Sequence, residues 1–224
     1  MKLSDKTVKI LKNYSEINSG IAIKKGNKLT TISGGPSTLV SVAEVPDQFP
    51  QDINIFNLDK FLAVQSLFTE PELEFGDDKI VIHSGNRSVE YFYSNVASIK
   101  VPKKSLPIPD RGIEFDLTAN DLASIKKASS ILEYKQLHIS GNGKTITVEA
   151  KRAPDAANNV SPTSGSFKLD TNVPTDQTFS TTLIIANMKM LEGNYKVRVG
   201  EEFVHFEDKD LGLQYWVIKA ADQD

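Results

Sequence analysis

Cysteine is absent from the 224 residues, and histidine (3), methionine (3) and tryptophan (1) are scarce. Without thiols the chain has no disulfide, no thiolate nucleophile and no zinc–cysteine site, which fits a reducing compartment. His83, His138 and His205 fall in strand-like stretches. None has the i, i+4 helical spacing of a metal pair, and all read as ordinary strand residues. Long apolar runs are missing as well. Nothing approaches the roughly 18 residues of a membrane span, and Met1-Lys2-Leu3-Ser4-Asp5 lacks the apolar stretch of a signal peptide. The net charge of −3 excludes a uniformly basic nucleic-acid binder, though not a locally basic face. With 39% hydrophobic and 25% charged residues, the chain can fill the cores of one large or two ordinary soluble domains.

Catalytic constellations are equally thin. Ser33-Gly34-Gly35-Pro36-Ser37 and Ser140-Gly141-Asn142-Gly143-Lys144 lack Walker spacing and a following helix, so they read as hairpin turns rather than phosphate loops. Asp77-Asp78 and Glu201-Glu202 sit in turns between strands, where paired carboxylates are solvated connections. No active site, metal or cofactor is expected, and the chain does not read as an enzyme.

What is present is a duplication. Sliding the first residues forward by 114 positions lays Leu3, Ser4, Val8, Leu11, Lys12, Ser15 and Ile17 on Leu117, Thr118, Leu122, Ile125, Lys126, Ser129 and Ile131. Both copies predict a short helix entering a β-hairpin. The hairpins are Ile21 to Ile23, a Gly26-Asn27 turn and Leu29 to Ile32, against Leu137 to Ile139, Gly141 to Gly143 and Thr145 to Val148. A second helix is predicted over Phe56 to Phe68, capped by Asn57, with Leu58, Phe61, Leu62 and Leu67 on its apolar face. Its counterpart is expected at Ile184 to Leu191. Alternation then predicts strands through Leu73 and Phe75, Lys79 to His83, and Val89 to Tyr93, repeated at Lys196 to Val199, Phe203 to Phe206 and Leu213 to Ile218. Two similar domains follow, 1–100 and 113–224. The proline-rich strap 101–112 between them is too poor in amide donors for a continuous ladder. Ala153 to Ser164 reads as an irregular surface loop.

On a helical wheel Leu3, Thr7, Ile10, Leu11 and Tyr14 occupy about one third of the circle, with Lys6, Lys9, Lys12 and Asn13 opposite. In the second copy Leu117, Ile125 and Ala128 turn inward, while Lys126 and Lys127 emerge beside Asn120 and Ala123. A solvated face and a phosphate-facing surface are both open readings.

Specific blocks settle a family resemblance: Met1-Lys2-Leu3-Ser4, Leu11-Lys12-Asn13, Ile17 to Ile21, Pro107-Ile108-Pro109, Ala186 to Met190 and Gly193 to Lys196. Through them the chain resembles the DNA polymerase sliding clamps of T-even-type bacteriophages along nearly its whole length, departing at Ala153 to Ser164. The resemblance implies an α+β fold of two similar clamp domains and a homotrimeric ring with helices lining its hole. It also implies a processivity factor that encircles double-stranded DNA without reading its sequence, tethers the replicative DNA polymerase and is placed by an ATP-dependent clamp loader. Lys6, Lys9, Lys12, Lys126 and Lys127 would then face DNA, with Lys60 and Lys189 as secondary contacts. Subunits would join by pairing the strand of Val89, Tyr91 and Tyr93 with that of Phe167 and Leu169. Tails of the polymerase or of late-transcription factors would dock near Leu106, Pro107, Ile108 and Pro109, with Leu39, Val217 and Ile218 nearby. The expected setting is the cytoplasm of an infected bacterium. The competing reading is a β-rich phage structural or adaptor protein that forms oligomers without DNA.

Overall fold

Ser4 begins the first helix because its hydroxyl accepts the Thr7 amide at 3.2 Å, satisfying one of the donors that a helix start leaves open. In the computed structural model, which describes residues 1–34, 38–152 and 165–220, the helix α1 runs Asp5–Ile17. The expected loop Ala153 to Ser164, and residues 35–37 of the turn expected over Ser33 to Ser37, lie outside the described residues. The chain forms two compact units: Met1–Ser105 with Asp210–Gln214, and Leu106–Lys209 with the residues from Tyr215 onward.

In the first unit α1 buries Thr7, Ile10, Leu11, Tyr14 and Ile17 as the apolar periodicity requires. It also buries Asn13, which the wheel had placed outside. Asn13 lies beside the stripe of Ile10 and Ile17, so the buried arc is wider than apolar residues alone reveal. Tyr14 is fully buried and accepts a hydrogen bond from the Ser41 hydroxyl at 3.0 Å. The strands are β1 (Ile21–Ile23), β2 (Gly26–Ile32), β3 (Leu39–Phe49) and β4 (Ile53–Ile55). Here the expected first hairpin does not form. β1 pairs antiparallel with β4, Ile21 opposite Ile55, while β2 pairs with β3. Asp52 holds the departing chain by accepting from the Lys24 ammonium at 2.7 Å and the Lys25 amide at 2.9 Å, and Gly26 turns away at φ +119°.

The pairing of β2 with β3 shifts register between Lys28↔Glu44 and Gly26↔Phe49. Pro46 falls in this irregularity, where the ladder lacks the amide it could not supply, and so does Asp47. The helix α2 (Leu58–Gln65) starts where Asn57 Oδ1 accepts the Lys60 amide at 2.8 Å. It stops earlier than the sequence suggested, and Leu67 is 67% exposed rather than part of the apolar face. The sheet β5 (Glu72–Phe75), β6 (Lys79–Ser84) and β7 (Arg87–Phe92) closes the unit, with Leu73, Ile80 and Ile82 buried on one face. β5 and β7 are its edge strands.

In the second unit β8 (Glu114–Leu117) leads into α3 (Ala119–Leu132) through a capping box: Thr118 Oγ1 accepts the Asp121 amide while the Asp121 carboxylate accepts the Thr118 amide. Here the hairpin does form. β9 (Gln136–Asn142) and β10 (Thr145–Lys151) pair from Ile146↔Gly141 to Lys151↔Gln136. Asn142 Oδ1 accepts two turn amides, and Gly143 takes φ +77°. With β11 (Phe167–Pro174) and β12 (Thr178–Ile184) they make a sheet in the order β11-β10-β9-β12, so β11 is an edge. The helix expected over Ile184 to Leu191 is only a 3-10 turn, Ile185–Asn187. The β-branched pair Ile184-Ile185 lets β12 run on, and the chain then sinks Met188 and Met190 into the core. β13 (Tyr195–Val199), β14 (Phe203–Asp208) and β15 (Leu213–Ile218) follow, β13 lying between β8 and β14.

Candidate nucleic-acid interface and partner surfaces

The outward stripe of α1 carries Asp5, Lys9, Lys12 and Glu16, all exposed. Two ammonium groups and two carboxylates balance, so this face draws a polyanion only weakly. Lys6 is not part of the stripe. It stands half-buried, and a Cβ on Gly212 would lie 3.8 Å from its Nζ. The helix is aimed by Asp47, which accepts from the Ser4 amide at 3.0 Å, the Ser4 hydroxyl at 2.6 Å and the Thr7 hydroxyl. Burial pushes this carboxyl up, but the Ser4 and Thr7 bonds outweigh it and leave Asp47 below its ordinary value.

α3 presents a different face. Lys127 is exposed beside Asn120 and Ser130, and Lys126, half-buried, donates to the Met190 carbonyl at 2.9 Å. The first turn is tied from afar: Asn194 Oδ1 accepts the Ala119 amide at 2.9 Å. The Met190 to Asn194 stretch therefore holds α3 at both its start and its middle. Lys60 on α2 and Lys189 after the 3-10 turn are both exposed. Lys9 and Lys12 share one face of α1 in the first unit, and Lys126 and Lys127 are adjacent on α3 in the second, where Lys189 precedes the Met190 whose carbonyl Lys126 holds.

The two edge strands have their named side chains turned inward. Tyr91 donates to the Asn57 carbonyl at 2.9 Å and meets Phe61 edge-on, ring centroids 5.4 Å apart, while Gln51 donates to Tyr93 at 3.4 Å. Burial raises both phenols above their ordinary value. Val89, Phe167 and Leu169 are half-buried as well. These residues hold β7 and β11 on their own sheets, and the opposite backbone edge of each strand has no partner strand among the described residues.

The strap is pinned rather than loose. Trp216 Nε1 donates to the Pro107 carbonyl at 2.8 Å, and Gly200 makes room for Pro109, whose Cγ would lie 3.0 Å from a Cβ there. Ile108 is 49% exposed, Pro107 is exposed, and Leu106, Pro109 and Ile218 are half-buried. Leu39 (1%, first unit) and Val217 (0%, second unit) are core residues with no surface for a tail to touch. Sequence reasoning missed Trp216, Asp47 and Asn194. Trp216, as the lone tryptophan, and Asn194, within the block Gly193 to Lys196, gave a signal, and Asp47 gave none. Among the described residues no cluster of His, Cys, Asp or Glu is arranged to hold a metal, and no helix is long and apolar enough to cross a membrane.

Residues 2–99 match the family described as DNA polymerase processivity factor. Over 99% of its length and 100% of the relative's, the chain is 25% identical to the sliding clamp of Vibrio phage KVP40. It is 29% identical to that of Enterobacteria phage T4, covering 88% of this chain and 86% of the other. Among solved structures it is similar to A. fulgidus PCNA bound to the C-terminal region of FEN-1, with TM-score 0.71, 12% identity and coverage of 99% and 98%. It also resembles the DNA polymerase III β subunit of Pseudomonas aeruginosa, with TM-score 0.69 and 10% identity, spanning 98% of this chain but only 64% of that one. By its fold and by sequence similarity along most of its length, the chain is similar to the phage DNA polymerase sliding clamps.

Proposed function

We propose that three copies of this chain close into a ring around double-stranded DNA and keep the replicative DNA polymerase on its template by topology rather than affinity. The chain itself supplies no chemistry. The observation that carries this reading is that each unit offers an edge strand with an unpaired side, β7 in the first and β11 in the second. Because the two edges lie in different halves, pairing β7 of one copy with β11 of the next is head to tail, and such a contact must close into a ring or run on as a filament. In the ring, Lys9, Lys12 and Lys127 face phosphates, with Lys6, Lys60, Lys126 and Lys189 contributing less. Contacts to phosphate carry no sequence information, as sliding demands.

The chain divides functionally into domains 1–100 and 113–224 joined by the strap 101–112. Leu106, Pro107, Ile108 and Pro109, with Ile218, form the landing surface for hydrophobic tails of the polymerase and of late-transcription factors. An ATP-dependent loader opens the ring in the cytoplasm of the infected bacterium. The test is retention on DNA. Once loaded with its cognate loader on a nicked circle, the clamp should stay far longer than its weak, salt-sensitive affinity for a short linear duplex allows, and cutting the circle should release it. Loss at equal rates from circles and linear DNA would overturn the ring reading.

A further inference from the structure

Between the N-terminal end of α1, the last turn of α2 and the start of β5 lies a cleft of about 630 Å³, wholly within the first unit. Leu3, Val8, Leu62, Phe68, Pro71 and Leu73 make its apolar walls. Gln65 lines it too, only 6% exposed, and its side-chain Nε2 has no acceptor. A buried amide donor without a partner is costly, and an arriving acceptor removes that cost. The charged rim consists of Lys2, paired with Glu70 at 2.8 Å, together with Lys12, Asp5 and Asp47. Three carboxylates against two ammonium groups leave the rim one charge negative. That balance disfavours a phosphate backbone and favours a cationic visitor. The volume falls in the range of sites that enclose small ligands or a few residues of peptide.

We propose that this cleft docks a short peptide segment of a partner protein, apolar and followed by basic residues. An apolar side chain seats among Leu3, Leu62 and Phe68, the shielded Gln65 side chain turns into the cleft so that a backbone carbonyl accepts from its Nε2, and the basic flank meets Asp5 and Glu70. The site stands on the first unit alone, separate from the strap surface and independent of the ring reading.

The test uses the full-length, ¹⁵N-labelled chain and three probes: acetylated, amidated peptides with a run of Leu, Ile, Val or Phe ending in two lysines, the same set ending in two glutamates, and a short DNA duplex. The lysine-ended set should move the Gln65 side-chain NH₂ resonances and bind about tenfold more tightly than the glutamate-ended set. Gln65→Met keeps the volume and removes the donor, so the same peptides should bind it about tenfold more weakly. Glu70→Gln, at the exposed rim, should narrow the preference between the two sets, and it decides the matter should Gln65→Met unfold. Resonances unmoved by every peptide, equal affinity for the two sets, or movement with the duplex alone would overturn the proposal.

Discussion

α1 and α3 begin from related sequence and reach their places by different means. α1 is held from outside its own segment, by the Asp47 carboxylate reaching from the irregular part of β3 to three donors at the helix start. It buries Thr7, Ile10, Leu11, Asn13, Tyr14 and Ile17. α3 caps itself with Thr118 and Asp121 and buries only Leu122, Ile125 and Ser129, while Asn194 and the Met190 carbonyl secure it from the side. The duplicated pattern thus carries the helix and its polarity. The anchors come from segments that differ between the copies, so each helix can be tuned without disturbing the other.

That difference is broken most severely at the caps. Asp47→Ala leaves the Ser4 amide and two hydroxyls without their acceptor and should cost about 3 kcal/mol in urea denaturation. Asp121→Ala leaves the Thr118 hydroxyl able to cap α3 alone and should cost about 1 kcal/mol. Equal losses would mean that α1 does not depend on β3 for its anchoring.

Acid should expose the same asymmetry more gently. Because the folded carboxyl of Asp47 sits below its ordinary value, the stability it adds is fully present at neutral pH and disappears as pH falls through that depressed value. The stability gap between wild type and Asp47→Asn should therefore shrink as the solution is acidified below the ordinary aspartate range. A gap that stays constant with pH would remove Asp47 from the account of acid sensitivity.

The smallest effect separates the outward faces. Lys9→Gln with Lys12→Gln should reduce the salt dependence of duplex affinity by about two phosphate contacts, and Lys127→Gln by about one. Lys6→Gln should change it least, since Lys6 stands against the Gly212 turn rather than on the exposed stripe. A larger change from Lys6 than from the Lys9 and Lys12 pair would reverse the assignment of faces.

The elements that could be read from sequence were those whose own residues specify them. Asn57 and Thr118 announce their helices through local capping, and Gly143 with Asn142 announces the second hairpin through turn chemistry. The failures lie where distant residues decide. Asp52 draws β1 onto β4, β12 runs on through Ile184 in place of a helix, and Pro46 hides β3, the longest strand, because a proline inside a strand reads as an interruption. At the candidate interface, the exposure of Lys9, Lys12 and Lys127 was legible from periodicity. The same periodicity sets the neutralising Asp5 and Glu16 on that stripe, whereas the burial of Leu39 and Val217 depended on packing that no local pattern records.

The hydrogen bond from Trp216 to the Pro107 carbonyl has an optical consequence. Trp216 is the chain's one indole, it is 5% exposed, and its ring lies against His205 with centroids 4.8 Å apart. Its emission is therefore that of a single chromophore whose N–H is fastened to the strap. Anything that lifts residues 106–109 breaks the bond and wets the ring, shifting the fluorescence to longer wavelength. The native protein thus carries its own label-free gauge of whether the strap is seated.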